Sequence, residues 1–321
     1  MALYKKILIL GNGFDLDFGL KSSYRDFMNS QVWKRAKEKE NFISYGIVGY
    51  LEEKNKLKSW FDVEAELLNY ALEITEGSTR SAQENDRSGF EYFQLKLKEY
   101  LLKEQDSMDR PQISTALTML THILENGYFT NIYTFNYTDV SKFVAKYKIK
   151  VEIPITYMHG SLDKNNNIVL GIETDKKIHP DYRFLFKTNS RYYMSNNLIE
   201  SLDEANEIVF FGHSINGMDF PYFKDFFMKQ SQPSKEFKRK KITIFTYDNE
   251  SEEKIRDNFR EEGLSLRDLM SRNDLTFIET KLLNDGDELE ENKFDLFLSH
   301  LEEDSKDAEN EKINKLEQDI L

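Results

Sequence analysis

Two polar residues stand at the ends of apolar runs of strand length: Asn136 after NIYTF and His159 after ITYM. An imidazole leaving a buried strand beside a glycine suits general-base work near neutral pH. A primary amide in the same kind of position can orient a water or a hydroxyl. Each has a plainer reading, Asn136 as the cap of a helix starting at Thr138 and His159 as a turn residue before Gly160. A third run, IVFFGHSINGMD, brings Gly212, His213, Ser214 and Asp219 directly after apolar residues. Ser214 and Asp219 are equally readable as helix caps, and His213 as a packing residue.

The N-terminal stretch KKILILGNGFDLDFGL contributes Gly11, Asn12, Gly13 and Asp15 after an apolar run. Two glycines at the carboxyl end of a strand let backbone N–H groups approach an anion closely. Asp15, itself an anion, suits ribose hydroxyls better than phosphate. The spacing excludes the usual dehydrogenase fingerprint, because Gly19 follows Gly13 by six residues rather than three. In SWFDVEAELL, Glu64 follows Trp60 by one helical turn. Trp60 reads as core, and a carboxylate beside an aromatic can have a raised pKa and face a pocket. His122, His179 and His300 read as packing or solvent residues, and no spacing supports a metal site.

The elements that must position these groups are short, continuous apolar runs at Ile7–Leu10, Ile132–Phe135, Ile155–Met158, Ile208–Phe211 and Ile242–Phe245. Such runs suit strands buried on both faces of a parallel α/β sheet, where ligands bind at the strands' carboxyl ends. Four polar loops should therefore converge. More than a hundred residues separate the first two runs, too many for a simple crossover, and they read as a helical insertion at about 35–128. One helix face there carries Val63, Leu67, Ala71 and Ile74; another carries Phe90, Phe93, Leu97 and Leu101. A further helix starts with Pro111, repeats Ile113, Leu117, Leu120 and Leu124, and stops near Gly127. The polar stretch Glu76–Gly89 reads as a connection. Phe294, Phe297, Leu298 and Leu301 form a last packing face.

The 321 residues can bury a sizeable core, and 24 Phe with 17 Tyr argue against global disorder. A domain at 1–301 is expected, followed by an acidic tail at 302–321 with eight acidic and three basic residues, helical or disordered. The net charge of −13 disfavours nucleic acid as a partner. The basic run KEFKRKK, Lys235–Lys241, reads as a solvated loop. The absence of cysteine excludes disulfides, thiolate nucleophiles and cysteine-bound zinc. No apolar run approaches bilayer length and no signal-peptide pattern is present, so a cytoplasmic protein without membrane contact is expected.

The blocks GNGFDLDFGLKSSYRDF, TFNYTDV, YMHGSLD with IVLGIE, and GHSINGMDFPYFKDFF, with the Trp60 and Glu64 pair, resemble the bacteriophage abortive-infection AbiH family. They are similar, more distantly, to the sirtuin NAD-binding domain. That resemblance implies a Rossmann-like α/β fold with NAD, or a related nucleotide, as substrate and no further cofactor. It implies that Gly11, Asn12, Gly13, Gly212 and Ser214 approach the pyrophosphate and that Asn136 and His159 face the nicotinamide ribose. Asp15 joins the same loop, and Tyr247 and Asp248, after KITIFTY, lie near the adenosine. The cysteines of sirtuin deacylases are missing, so water is the expected acceptor and hydrolysis of NAD to nicotinamide and ADP-ribose the expected reaction. A nucleotide sensor without catalysis is the alternative. Control is expected from the insertion, the tail, a homo-oligomer or a regulatory protein partner.

Overall fold

The computed structural model describes residues 5–39, 46–57, 62–74, 80–108, 113–126, 129–146, 153–163, 166–194, 196–215, 217–232 and 237–302. Six strands, β1 (Lys6–Leu10), β2 (Asn131–Thr134), β3 (Ile155–Tyr157), β4 (Glu207–Phe211), β5 (Lys241–Thr246) and β6 (Asp274–Glu279), form one parallel sheet in the order β3-β2-β1-β4-β5-β6. The chain reverses its direction of travel across the sheet between β1 and β4. That switch point opens a crevice at the carboxyl ends of these two strands. Burial of every residue in β1 and β4 explains the unbroken apolar runs Ile7–Leu10 and Ile208–Phe211. β6 was not expected: it is an edge strand with only part of its length buried, so its sequence DLTFIE mixes polar and apolar residues.

The helices are α1 (Asn12–Asp17), α2 (Tyr24–Asn29), α3 (Gln31–Lys39), α4 (Gly46–Leu57), α5 (Val63–Glu73), α6 (Arg80–Ser107), α7 (Thr115–Asn126), α8 (Val140–Lys146), α9 (Leu198–Glu204), α10 (Pro221–Ser231), α11 (Asn249–Glu261), α12 (Leu266–Arg272), α13 (Thr280–Asn284) and α14 (288–302). One face of the sheet packs Leu8, Leu10, Val209 and Phe245 against Met119 and Leu120 of α7 and Phe294 and Phe297 of α14. The other packs Ile7, Ile9, Phe210 and Ile244 against Leu198, Phe227 and Phe259 of α9, α10 and α11.

A third core belongs to the insertion. Phe27 and Trp33 start it, Val48, Leu67, Phe93 and Leu97 continue it, and Leu170, Tyr182 and Leu185 join it from beyond β3. Packing thus differs from the expected limits of 35 and 128. The insertion core begins at α2, whereas α7 is the crossover helix lying on the sheet.

The polar stretch expected as a connection is helical from Arg80 onward. Its polarity has a structural use, because the buried carboxylate of Asp86 accepts hydrogen bonds from Ile47 N at 2.8 Å and from the hydroxyls of Tyr70 and Tyr182. Gly89 brings α6 against α4, where an added Cβ would lie 3.2 Å from Val48 Cγ2. Ile113 lies before α7 and is exposed; the buried face of α7 is Ala116, Met119, Leu120 and Ile123, with Ser114 Oγ accepting from Leu117 N. In the basic run, Lys240 is buried and donates to the carbonyls of Leu202, Asp203 and Ala205, which cap the end of α9. Trp60, Pro111, Gly127, residues 76–79 and tail residues 303–321 lie outside the described residues.

At the amino end of the sheet, opposite the crevice, Lys6 and Glu207 stand in register and their fully buried side chains approach to 3.1 Å. Removing one partner of such a pair leaves an uncompensated buried charge. Lys6→Met is expected to cost about 3–5 kcal/mol, and Lys6→Met with Glu207→Leu distinctly less. Chemical denaturation of both variants checks this; equal losses would show that the pair is not electrostatically coupled.

Candidate functional site

Gly11 and the first turn of α1 meet the loop after β4 backbone to backbone at the switch point. Gly11 N donates to Phe211 O at 3.0 Å and Gly13 N to Gly212 O at 2.9 Å, while Gly212 N donates to Phe245 O at 3.0 Å. A Cβ on Gly13 would lie 2.6 Å from Gly212 Cα, and one on Gly11 would lie 2.5 Å from His213 Cα. Gly212 adds a left-handed φ of 61°. These glycines are required by that contact. Their N–H groups bond to protein carbonyls, which corrects the expectation that Gly11, Gly13 and Gly212 cradle an anion through the backbone.

Asn136 and Asp15 tie the β2 loop to this contact. Asn136 Nδ2 donates to Gly11 O and to Asp15 Oδ1, both at 2.9 Å, and Thr138 Oγ1 donates to Asp15 Oδ2 at 2.7 Å. Both amide hydrogens of Asn136 are thereby used, so Oδ1 is the atom of that group left to meet a ligand. Asn136 does not cap a helix; α8 starts at Val140, where Asp139 Oδ1 accepts from Ser141 N. Asp15 is 1% exposed, and burial raises its pKa to about 7 against the pull of Thr138 and Asn136. It staples α1 to the loop after β2, a use that sequence reading, which assigned it to ribose hydroxyls, did not foresee.

His159, at the end of β3, enters a buried charge cluster. Lys187 Nζ lies 2.8 Å from Glu64 Oε2, 3.0 Å from His159 Nε2 and 3.5 Å from Asp219 Oδ1; His159 Nε2 lies 3.2 Å from the same Asp219 oxygen. Lys187 is fully buried, yet the carboxylates of Glu64 and Asp219 outweigh its desolvation and hold it as an ammonium, with its pKa above the usual value. Asp219 is also desolvated, but Lys187 and His159 hold it ionised. Burial leaves Glu64 and Asp62 with raised pKa values. One ammonium thus faces three carboxylates. Donation from Lys187 fixes the neutral His159 ring as the Nδ1–H tautomer. A proton gained at Nε2 would find Asp219 beside it as acceptor.

Phe135 packs against two imidazoles, its ring centroid 5.2 Å from His159 and 4.5 Å from His213. Asp219 is no cap of α10, whose N-terminus has no side-chain cap. Asp62 caps α5, accepting from Glu64 N at 2.9 Å. Around these groups lies a cavity of about 600 Å³ whose wall includes Gly11, Asn12, Gly13, Asp15, Asn136, His159, Gly212, Ser214 and Tyr247. Arg25 and Lys254 are on the same wall, as are Glu64, His213 and Asp219. Asn12 Oδ1 accepts from Ser22 Oγ at 2.6 Å, Ser214 is exposed, and Tyr247 is 60% exposed. Asp248 is not on the wall; it caps α11, accepting from Ser251 N at 2.9 Å and Oγ at 2.7 Å.

The profile of the family described as bacteriophage abortive infection AbiH matches residues 7–238, spanning β1 to the end of α10 and every side chain of the cluster. The chain belongs to the AbiH family. Comparison with curated proteins finds no match. Membership gives the protein a role in phage abortive infection. Among the described residues no helix is long and apolar enough to cross a membrane.

Sequence reading missed Lys187, which lies in KTNSRYY, a stretch without periodicity, and reaches the site only because the chain folds back against Ile172. Asp15 yields a pH signature. Its pKa rises from 3.8 unfolded to about 7 folded, so the native state holds the proton more tightly and stability falls as pH rises from 4 through 7. Relative to Asp15→Asn, the wild type is expected to lose on the order of 4 kcal/mol between pH 4 and pH 8. Urea titrations of both proteins across that range measure it; a constant difference would place the proton elsewhere.

Proposed function

We propose that this AbiH protein halts infected cells by hydrolysing NAD to nicotinamide and ADP-ribose. The observation carrying this reading is that Asn136 and His159 arrive from neighbouring strands at one cavity, at the switch point of a nucleotide-binding sheet order, with Asp219 beside His159. The cavity's size is in the range of small-molecule and cofactor sites. Arg25 and Lys254 supply positive charge for the pyrophosphate, with Asn12 and Ser214 as polar partners, and exposed Tyr247 offers a face for the adenine. The more distant similarity to sirtuins supports the same ligand.

In this reaction the C1′–N bond to nicotinamide breaks and its electron pair leaves with the neutral base. Positive charge develops on the ribose, a water oxygen bonds to C1′, and the water's proton passes to His159 Nε2 as Lys187 turns its N–H from that atom to Asp219. Asn136 Oδ1 orients that water or a ribose hydroxyl. The nicotinamide leaves readily because it is already cationic, so positioning carries much of the rate.

Incubation of purified protein with NAD, free or from phage-infected cells, is expected to release nicotinamide and ADP-ribose in equal amounts. His159→Ala is expected to slow release by about 10²–10⁴-fold, and Asn136→Ala to lose both water orientation and the loop tie. Folded protein that binds NAD without releasing nicotinamide would favour the sensor alternative. Release unaffected by either substitution would remove these residues from the mechanism.

A further inference from the structure

His213 is held with unusual care for a residue the chemistry above does not use. Its ring packs edge-on against Phe135 at 4.5 Å and Phe223 at 5.2 Å between centroids. Its Nδ1 accepts a 2.9 Å hydrogen bond from Ile215 N. Ile215 supplies that bond from a left-handed conformation, φ 48°, which a β-branched residue adopts only under strain, and Asn258 holds its carbonyl at 2.7 Å. With Nδ1 occupied as an acceptor, the neutral ring carries its hydrogen on Nε2. Burial, against the pull of Asp219, lowers the ring's pKa to about 4, so it stays neutral near pH 7.

That Nε2–H is buried on the cavity wall and has no hydrogen-bond partner among the described residues. Asp219 Oδ2 lies 3.8 Å from it, too far for a direct bond. One oxygen about 2.8 Å from each atom would bridge the gap, with roughly a right angle at that oxygen. The bridging oxygen must accept from the imidazole and donate to the carboxylate, which a hydroxyl does and a carbonyl, ether or phosphate oxygen does not. Glu64 Oε1, on the same wall, is also buried without a partner among the described residues. The carboxylates of Glu64 and Asp219 share the Lys187 ammonium, at 2.8 and 3.5 Å, and both line the cavity.

We infer that His213, with Asp219 and Glu64, reads the vicinal hydroxyls of a ribosyl ligand, His213 Nε2–H donating to a hydroxyl oxygen that donates in turn to Asp219. This rests on the nucleotide reading of the cavity and deepens it by making the site selective for an intact ribose. His213 is then a neutral donor in contact with substrate, and His159 the base.

The test compares NAD with analogues lacking the 2′- or 3′-hydroxyl of the nicotinamide ribose, by calorimetric binding and by turnover, in wild type, His213→Phe and His213→Gln. The phenylalanine keeps the aromatic packing and removes the donor; the glutamine restores an amide N–H near Nε2. The wild type is expected to bind one deoxy analogue about 10- to 100-fold more weakly than NAD. His213→Phe should weaken NAD by a similar factor without further weakening that analogue, and His213→Gln should recover part of the loss. Equal effects of His213→Phe on NAD and on both analogues would overturn the inference and leave NAD hydrolysis standing. If NAD neither binds nor reacts, the hydrolase reading fails, and ADP-ribose, ATP and adenosine with their deoxy counterparts take its place in the same comparison. Discrimination that depends on His213 would uphold ribose reading for another nucleotide, and none would overturn it.

Discussion

The site depends on a contact in which the start of α1 and the loop after β4 touch without side chains between them. Gly11 and Gly13 lie against Gly212 and His213 so closely that a single methyl group would collide with backbone on the far side. Such contact cannot be relaxed by choosing another rotamer. It sets the distance between the carboxyl ends of β1 and β4, and with it the positions of Asn136, tied to Gly11 O, and of His213, which follows Gly212 in the chain. Glycine here acts through the Cβ it lacks, and its amides serve protein carbonyls.

Around that contact the chain spaces its charges unevenly. The carboxyl of Asp15 serves as a neutral or half-neutral staple, whereas Lys187 keeps its charge in full burial because carboxylates surround it. Both are costly in isolation. Together they divide the wall into a loop junction with little net charge and a patch rich in acceptors. His159 and His213 both pack on the one phenyl ring of Phe135 and differ in what holds them: a cation and a carboxylate for the first, a strained backbone amide for the second.

The parallel sheet and the convergence of four loops were legible in the sequence because buried strands leave unbroken apolar runs and polar residues then stand out at their ends. Asn136 and His159 were visible for that reason. β6 was not, since an edge strand exposed over part of its length loses the run. The span after Glu76 looked like a connection because Asp86 and its neighbours are polar, although Asp86 is polar in order to be buried among hydroxyls. Lys187 left no trace: a single lysine in an irregular segment looks the same whether it meets solvent or three carboxylates. The role of the glycine pattern was misread for a related reason, as sequence shows that a Cβ is absent and not which surface needs the space.

The third core has a wider bearing. Residues between β3 and β4 contribute Leu170, Tyr182 and Leu185 to it, and α6 holds the same segment through Gln94 donating to Leu170 O, Lys98 donating to Asn166 O and Asp86 accepting from the Tyr182 hydroxyl. Two residues beyond Leu185 the chain delivers Lys187 to the charge cluster. The part inserted between β1 and β2 is therefore not a module that lineages could trade independently: whatever reshapes it also reaches the crossover that carries the ammonium. Divergence of one should leave compensating changes in the other, so that across the family these two distant stretches of chain would be inherited as a single piece.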